Sequence, residues 1–234
     1  MMGNKGVCIV CIGCVTALLF NPARGQEKMF SVVLKGNFTT GSQLFPNPNA
    51  RDALKRNQFF PIEDFFGSGV EIKYHIPETN ITLGLSADYI RTTTLRTSFS
   101  GIDTVDGYRV LPVELTGYFH IPVAGPTFGV YMGGGGGVYF GRRIYRIADV
   151  DAEPVDEGHG FGIHVLGGLS YHFTEWFSLN AEMKFRDLQF ESSNAFSVSR
   201  IAYRGTFINV STEPFESRVH TDGILFQVGA AVSF

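Results

Sequence analysis

Cysteine is nearly missing from this chain: there are three in 234 residues, and all of them (Cys8, Cys11 and Cys14) lie close to the amino terminus. If that leading segment is removed, a disulfide framework, a thiolate metal site and a cysteine nucleophile are excluded together. Charge is scarce as well. Asp, Glu, Lys and Arg make up 18% of the residues, below the roughly 25% of a soluble protein, so something other than water must touch much of the surface. The net charge of −3 is small and no basic stripe is present, which argues against nucleic acid as a partner. Beyond the leading segment no run reaches about 18 uninterrupted apolar residues, so no helical membrane span is expected. Glycine and phenylalanine, at 28 and 22 residues, are the abundant types, and no shift in composition divides the chain into two domains.

The first residues have the three parts of a secretory signal: Lys5, an apolar run from Val7 to Phe20, and the small residues Ala23 and Gly25 at the −3 and −1 positions before Gln26. The expected division is a cleaved signal peptide over 1–25 and a mature domain over 26–234. A membrane anchor would need about 20 apolar residues, and this run is shorter. A lipoprotein site at Gly13-Cys14 is opposed by the apolar run continuing past that cysteine through Ala17 to Phe20.

The mature sequence alternates with period two, the signature of a strand with unlike faces. Ile224, Phe226, Val228, Ala230, Val232 and Phe234 share one face, and Gly223, Leu225, Gln227, Gly229, Ala231 and Ser233 share the other. Phe177, Leu179, Ala181, Met183 and Phe185 are likewise opposed by Ser178, Asn180, Glu182, Lys184 and Arg186. Further strands are expected near Lys28–Phe38, Phe66–His75, Ile81–Thr92, Tyr108–His120, Thr127–Arg142 and Gly158–Phe173, eight in all. Tight connections around Pro77, Pro122 and Thr174 alternate with long ones near 40–65, 93–107, 143–157 and 190–221. Short turns on one side and long loops on the other match transmembrane barrels. The reading is therefore all-β: an eight-stranded antiparallel up-and-down transmembrane β-barrel after a cleavable signal peptide.

A soluble barrel would clothe its polar face in long hydrophilic side chains, but here that face carries Gly129, Gly133, Gly135, Gly137 and Gly141, which suit the crowded interior of a narrow barrel. The apolar face brackets the strands with aromatics, as in Phe128 with Phe140 and Phe177 with Phe185, like two interfacial girdles. The terminal segment DGILFQVGAAVSF, 222–234, resembles the closing strand of the OmpA/OmpX/OmpW-like small outer-membrane barrels, and the segments around Gly160–Phe173, Trp176–Asn180 and Lys184–Arg186 resemble the hairpin before it. That resemblance implies residence in the outer membrane of a Gram-negative bacterium, with outer-membrane lipids and the barrel-assembly machinery as partners and Phe234 as part of the assembly signal.

Gly133–Gly137 lacks a following Gly-Lys-Ser/Thr and lies within a strand, so it does not read as a phosphate loop. His75, His120 and His172 point inward at the turn ends of their strands, with tips expected to stay too far apart to hold a metal. His164, Ser170 and His172 share an inward phase with Glu182 on the next strand, the makings of an acyl hydrolase. A lipid-modifying enzyme should face its triad toward lipid, however, and the outward positions are apolar. No cofactor, metal or catalytic residue is therefore expected. Glu71, Lys73, Asp88, Glu114, Glu182, Lys184 and Arg186 also face inward, where charges of both signs should pair into a lumen plug. The leading expectation is a structural or surface-interaction barrel contacting an extracellular ligand through its long loops. The alternative is a narrow channel for small or apolar solutes, and the lower-ranked one is the enzyme.

Overall fold

The computed structural model describes residues 28–97, 101–122, 125, 127–156, 158–221 and 223–234. The segment read as a signal peptide, 1–25, lies outside them. The alternating runs form strands β1 (Phe30–Phe45), β2 (Phe60–His75), β3 (Ile81–Thr97), β4 (Asp103–Ile121), β5 (Phe128–Ile147), β6 (Val150–Asp151), β7 (Glu153–Asp156), β8 (Gly158–His172), β9 (Phe177–Ala195), β10 (Arg200–Tyr203), β11 (Thr206–Asn209), β12 (Phe215–Thr221) and β13 (Ile224–Ser233). One helical turn, α1 (Ala53–Arg56), sits between β1 and β2 and is capped by Asp52, whose carboxylate accepts from the Leu54 amide at 2.9 Å.

Strands β1, β2, β3, β4, β5, β8 and β9 follow one another as antiparallel neighbours, and β12 with β13 lies between β9 and β1. The result is a ring of eight strands whose last member is laid down in two pieces. At the seam the Phe234 amide donates to the Phe30 carbonyl at 2.9 Å, the Phe30 amide returns a bond at 3.2 Å, and the two rings stack.

The strand count and the tight turns follow the sequence, but the other ends do not. β1 runs on to Phe45, β3 to Thr97, β5 to Ile147 and β9 to Ala195, while β2 starts at Phe60, β4 at Asp103 and β12 at Phe215. Much of what reads as long loops near 40–65, 93–107, 143–157 and 190–221 is therefore strand. The reason lies in a reversal of polarity. On β9 the outward row passes from Met183 and Phe185 to Asp187, Gln189 and Glu191, while the inward row passes from Lys184 and Arg186 to Leu188 and Phe190. The same reversal brings Arg91, Arg109 and Arg142 outward and Ile90, Val110 and Tyr108 inward. Below this level the wall is apolar outside and polar inside, and above it the order is inverted, so a search for apolar-outward rows ends too early.

Both strands change face together at one point. Thr39 pairs with Phe65 and Gly41 with Glu63, so the register of β1 on β2 is unbroken and Thr40 lies opposite Asp64, which adopts φ 52°. Thr39 and Phe65 below this point, and Ser42, Leu44 and Ile62 above it, are the buried residues, so the phase of both strands changes there with no extra residue on either. Inward glycines make room for large side chains. A Cβ on Gly141 would stand 2.5 Å from the Phe190 ring, and one on Gly168 would stand 2.5 Å from that of Tyr131.

Candidate functional site: the lumen

Period-two alternation delivers charged side chains to the interior from five strands. β1 supplies Lys35, β2 supplies Glu71 and Lys73, β3 supplies Asp88, β4 supplies Glu114, and β9 supplies Glu182, Lys184 and Arg186. All eight are buried. They form one chain of alternating sign. Glu182 meets Lys73 at 3.3 Å, Lys73 meets Glu71 at 3.7 Å, and Glu71 meets Lys35 at 3.4 Å. Lys35 then meets Asp88 at 3.7 Å, Asp88 meets Arg186 at 2.9 Å, Arg186 meets Glu114 at 2.7 Å, and Glu114 meets Lys184 at 2.9 Å. Four cations against four carboxylates leave the layer neutral, which is how charges are accommodated away from water. The seven residues singled out in the sequence are all in this chain, and Lys35 joins its two halves.

Tyrosines complete the layer. Tyr118 donates to Glu71 at 2.5 Å, Tyr131 to Glu182 at 2.8 Å and Tyr139 to Glu114 at 3.1 Å. The Lys73 ammonium stands 4.0 Å from the centre of the Tyr118 ring. His164 lies beside Glu114 at 3.8 Å and shares a 2.9 Å hydrogen bond with Thr116. Sequence reasoning passed over these tyrosines. Tyr131 and Tyr139 nonetheless sit at odd positions of β5, in phase with its inward glycines.

Above the charged layer the lumen is apolar. Leu44, Ile62, Phe65, Ile90, Tyr108, Val110, Tyr139, Leu188, Phe190 and Val219 form one buried cluster. The Tyr108 ring meets those of Phe65 and Phe190 edge-on, and its hydroxyl donates to Ser42 at 3.0 Å. Higher still, Arg143 grips Asp106 in a two-point contact of 2.9 and 2.7 Å beneath an open vestibule of about 620 Å³. Arg96, Tyr145, Phe196 and Phe215 are among its walls. Phe196 and Ile201 from the final connection are buried beside Ala152, while Phe207 stays exposed on the β10–β11 hairpin. Asp103 ties that hairpin to β3 and β4. Thr97 and Tyr203 donate to it at 2.7 and 2.8 Å, and these bonds hold its carboxyl below the usual range.

At the turn end, two of the inward histidines lie closer than the sequence suggested. His75 and His120 both bond the Thr82 hydroxyl, at 3.1 and 3.0 Å, and their ring centres are 6.1 Å apart, because β2, β3 and β4 are consecutive neighbours. His172 turns to Ser170 at 3.3 Å. Glu182, the carboxylate considered for a triad, is engaged by Lys73 and Tyr131 instead.

The outer wall carries a belt of exposed apolar side chains below the polarity reversal, including Leu34, Phe66, Leu85, Leu115, Phe161 and Met183. Comparison with solved structures places this architecture. OprG of Pseudomonas aeruginosa aligns with a TM-score of 0.53 at 15% identity, over 89% of this chain and 97% of its own. The fold is that of a small outer-membrane β-barrel. Neisserial surface protein A aligns with a TM-score of 0.47 at 13% identity, over 88% of this chain and 97% of its own. Ail of Yersinia pestis gives 0.46 at 12%, over 88% and 99%. No protein-family model and no curated protein matches the sequence. A barrel of this fold with a lipid-facing belt of this kind belongs in the outer membrane of a Gram-negative cell.

Proposed function

We propose that this outer-membrane barrel has a structural or surface-interaction role and a plugged lumen. The observation that carries the reading is the stacking of a neutral layer of eight charges under a buried apolar layer inside one ring. An eight-stranded wall is only wide enough for its own side chains to fill the interior. The strand extensions and the vestibule above them would present a rigid surface to an extracellular ligand. The vestibule also keeps a second reading alive, a narrow route for small or apolar solutes. Reconstituted into planar bilayers, the barrel is expected to show small or absent conductance. Large, stable porin-like steps would overturn the plug and put transport first.

Biogenesis follows the same reading: cleavage after Gly25, then insertion by the barrel-assembly machinery with Phe234 as part of the signal. Phe234 also stacks on Phe30 at the seam. Changing Phe234 to Asp should lower the outer-membrane yield severalfold, while Ser233→Asp, one position away and off the outward row, should lower it less. Equal yields would remove Phe234 from this role.

A further inference from the structure

The vestibule above the lumen is a preformed pocket. It holds about 620 Å³, within the roughly 300–1,000 Å³ of small-molecule sites. Three aromatic rings of its wall already pack on one another. Tyr145 lies 5.9 Å from Phe196 and 5.7 Å from Phe215, and Phe196 lies 6.0 Å from Phe215, centre to centre. Phe196 is also fixed by its buried cluster with Ala152 and Ile201. A ligand entering here need not order these rings, which removes one of the usual costs of binding.

The charges around the pocket are unbalanced. Among the described lining residues the charged ones are Arg96, Arg143 and Asp106, two cations against one carboxylate. Asp103, bonded to the lining residue Thr97, is itself paired with Arg204 at 3.6 Å. Arg143 engages Asp106 through Nε and Nη2 at 2.9 and 2.7 Å and lies 4.5 Å from the centre of the Tyr145 ring. Arg96, on the inward row of β3 with Ile90, lies 4.2 Å from the centre of the Phe60 ring. A guanidinium stacked on a ring keeps its in-plane N–H donors, the edge that grips a carboxylate at two points.

These features select a ligand. A cation would meet two guanidinium groups. A neutral apolar solute would displace water from charged donors without replacing its hydrogen bonds, which is costly. A long acyl chain has no way down, because the Arg143–Asp106 pair and the apolar layer containing Tyr108 and Phe190 close the floor. A short aromatic acid meets every requirement: its carboxylate faces Arg96, and its ring joins the wall in the edge-to-face contacts that aromatic groups prefer.

We infer that the vestibule is a binding site for a small aromatic carboxylate, with Arg96 as the anion anchor and Phe60, Tyr145, Phe196 and Phe215 as the walls for its ring. The inference rests on the surface-interaction reading of the barrel and gives that reading a ligand class.

The test is isothermal titration of the refolded chain in detergent, corrected against empty micelles. Three probes are used: indole-3-acetate, its neutral analogue indole-3-ethanol, and hexanoate, which has the charge without the ring. Indole-3-acetate should bind at least about tenfold more tightly than either. This comparison needs only the unmodified chain. Arg96→Gln should remove the preference for the acid over the alcohol, while Arg56→Gln, the same charge change on the exposed turn α1, should retain it. Phe60→Leu should weaken acid and alcohol alike, by about threefold. Equal binding of acid and alcohol, hexanoate binding as tightly as indole-3-acetate, or a preference that survives Arg96→Gln would overturn the site. Uptake of indole-3-acetate by vesicles bearing the barrel tests the plugged lumen separately. Uptake equal to that of empty vesicles supports the plug, and faster uptake with binding as expected would refute the plug and leave the site standing.

Discussion

Glu114→Gln should be among the most damaging single changes in the barrel, costing about 3–5 kcal/mol, because it removes one partner from a buried ion pair and leaves the other uncompensated. Lys184 is fully buried and its ion-pair contact is with Glu114 at 2.9 Å. With residue 114 neutral, Lys184 is left without its counter-charge in a low-dielectric interior beside Arg186, which still has Asp88 at 2.9 Å, and must bear either an unpaired ammonium or the cost of losing its proton. Equilibrium urea unfolding of the refolded chain in lipid vesicles measures the loss. A second variant separates the charge from the contact: Glu114→Leu with Lys184→Met removes both partners, and such apolar replacement of a buried pair is often close to neutral. The double variant should therefore be more stable than Glu114→Gln despite the larger change. A Glu114→Gln protein within about 1 kcal/mol of the parent would mean that this alternating chain of charges is not held away from water as its burial indicates.

How much of this was legible in the sequence depends on height along the wall. Through the apolar belt, lipid outside and charge inside make each strand two unlike rows, and Glu182, Lys184 and Arg186 on β9 could be read directly from their alternation with Met183 and Phe185. Above the belt the alternation persists but its sign is reversed. Leu188 and Phe190 turn inward while Asp187 and Gln189 turn outward, since the medium outside changes from hydrocarbon to water and the interior becomes the apolar side. A reader following apolar-outward rows loses the strand at Arg186, and with it the apolar layer that covers the charges. The change of phase at Thr40 and Asp64 hides Leu44 and Ile62 for a related reason: both strands switch face there, so every later side chain lies on the face opposite to the one that strict alternation assigns. Which charges meet was less legible still. Lys35 bridges Glu71 and Asp88 because β1 lies beside β2 and one strand from β3, so the register between strands, and not the pattern within one strand, decides which charges meet.

Met183→Arg tests the assignment of faces, and its cost should follow depth. Met183 points outward from β9 among Phe226, Gly167 and Phe185, six residues above Phe177 at the turn end and four below Asp187 at the polarity reversal. An arginine on the lipid face near the middle of the membrane costs about 2–4 kcal/mol, falling to about 0–1 near the interface. Gln189→Arg lies on the same outward row, six residues higher and beyond the reversal, so it should cost at most the smaller figure. Glu182→Arg offers no mild inward control, because it would set a third cation beside Lys73 and Lys184 and take away the acceptor of Tyr131. It is expected to be destabilising for a reason independent of lipid. Unfolding in lipid vesicles and in detergent micelles distinguishes the two mechanisms. The penalty at Met183 should shrink in micelles, whose loose chains admit water to the wall, while the penalty at Glu182 should persist because the lumen is the same in both. A Met183→Arg protein no less stable in vesicles than Gln189→Arg would mean that the row from Phe177 to Phe185 does not face hydrocarbon, and the lipid-facing belt would have to be abandoned.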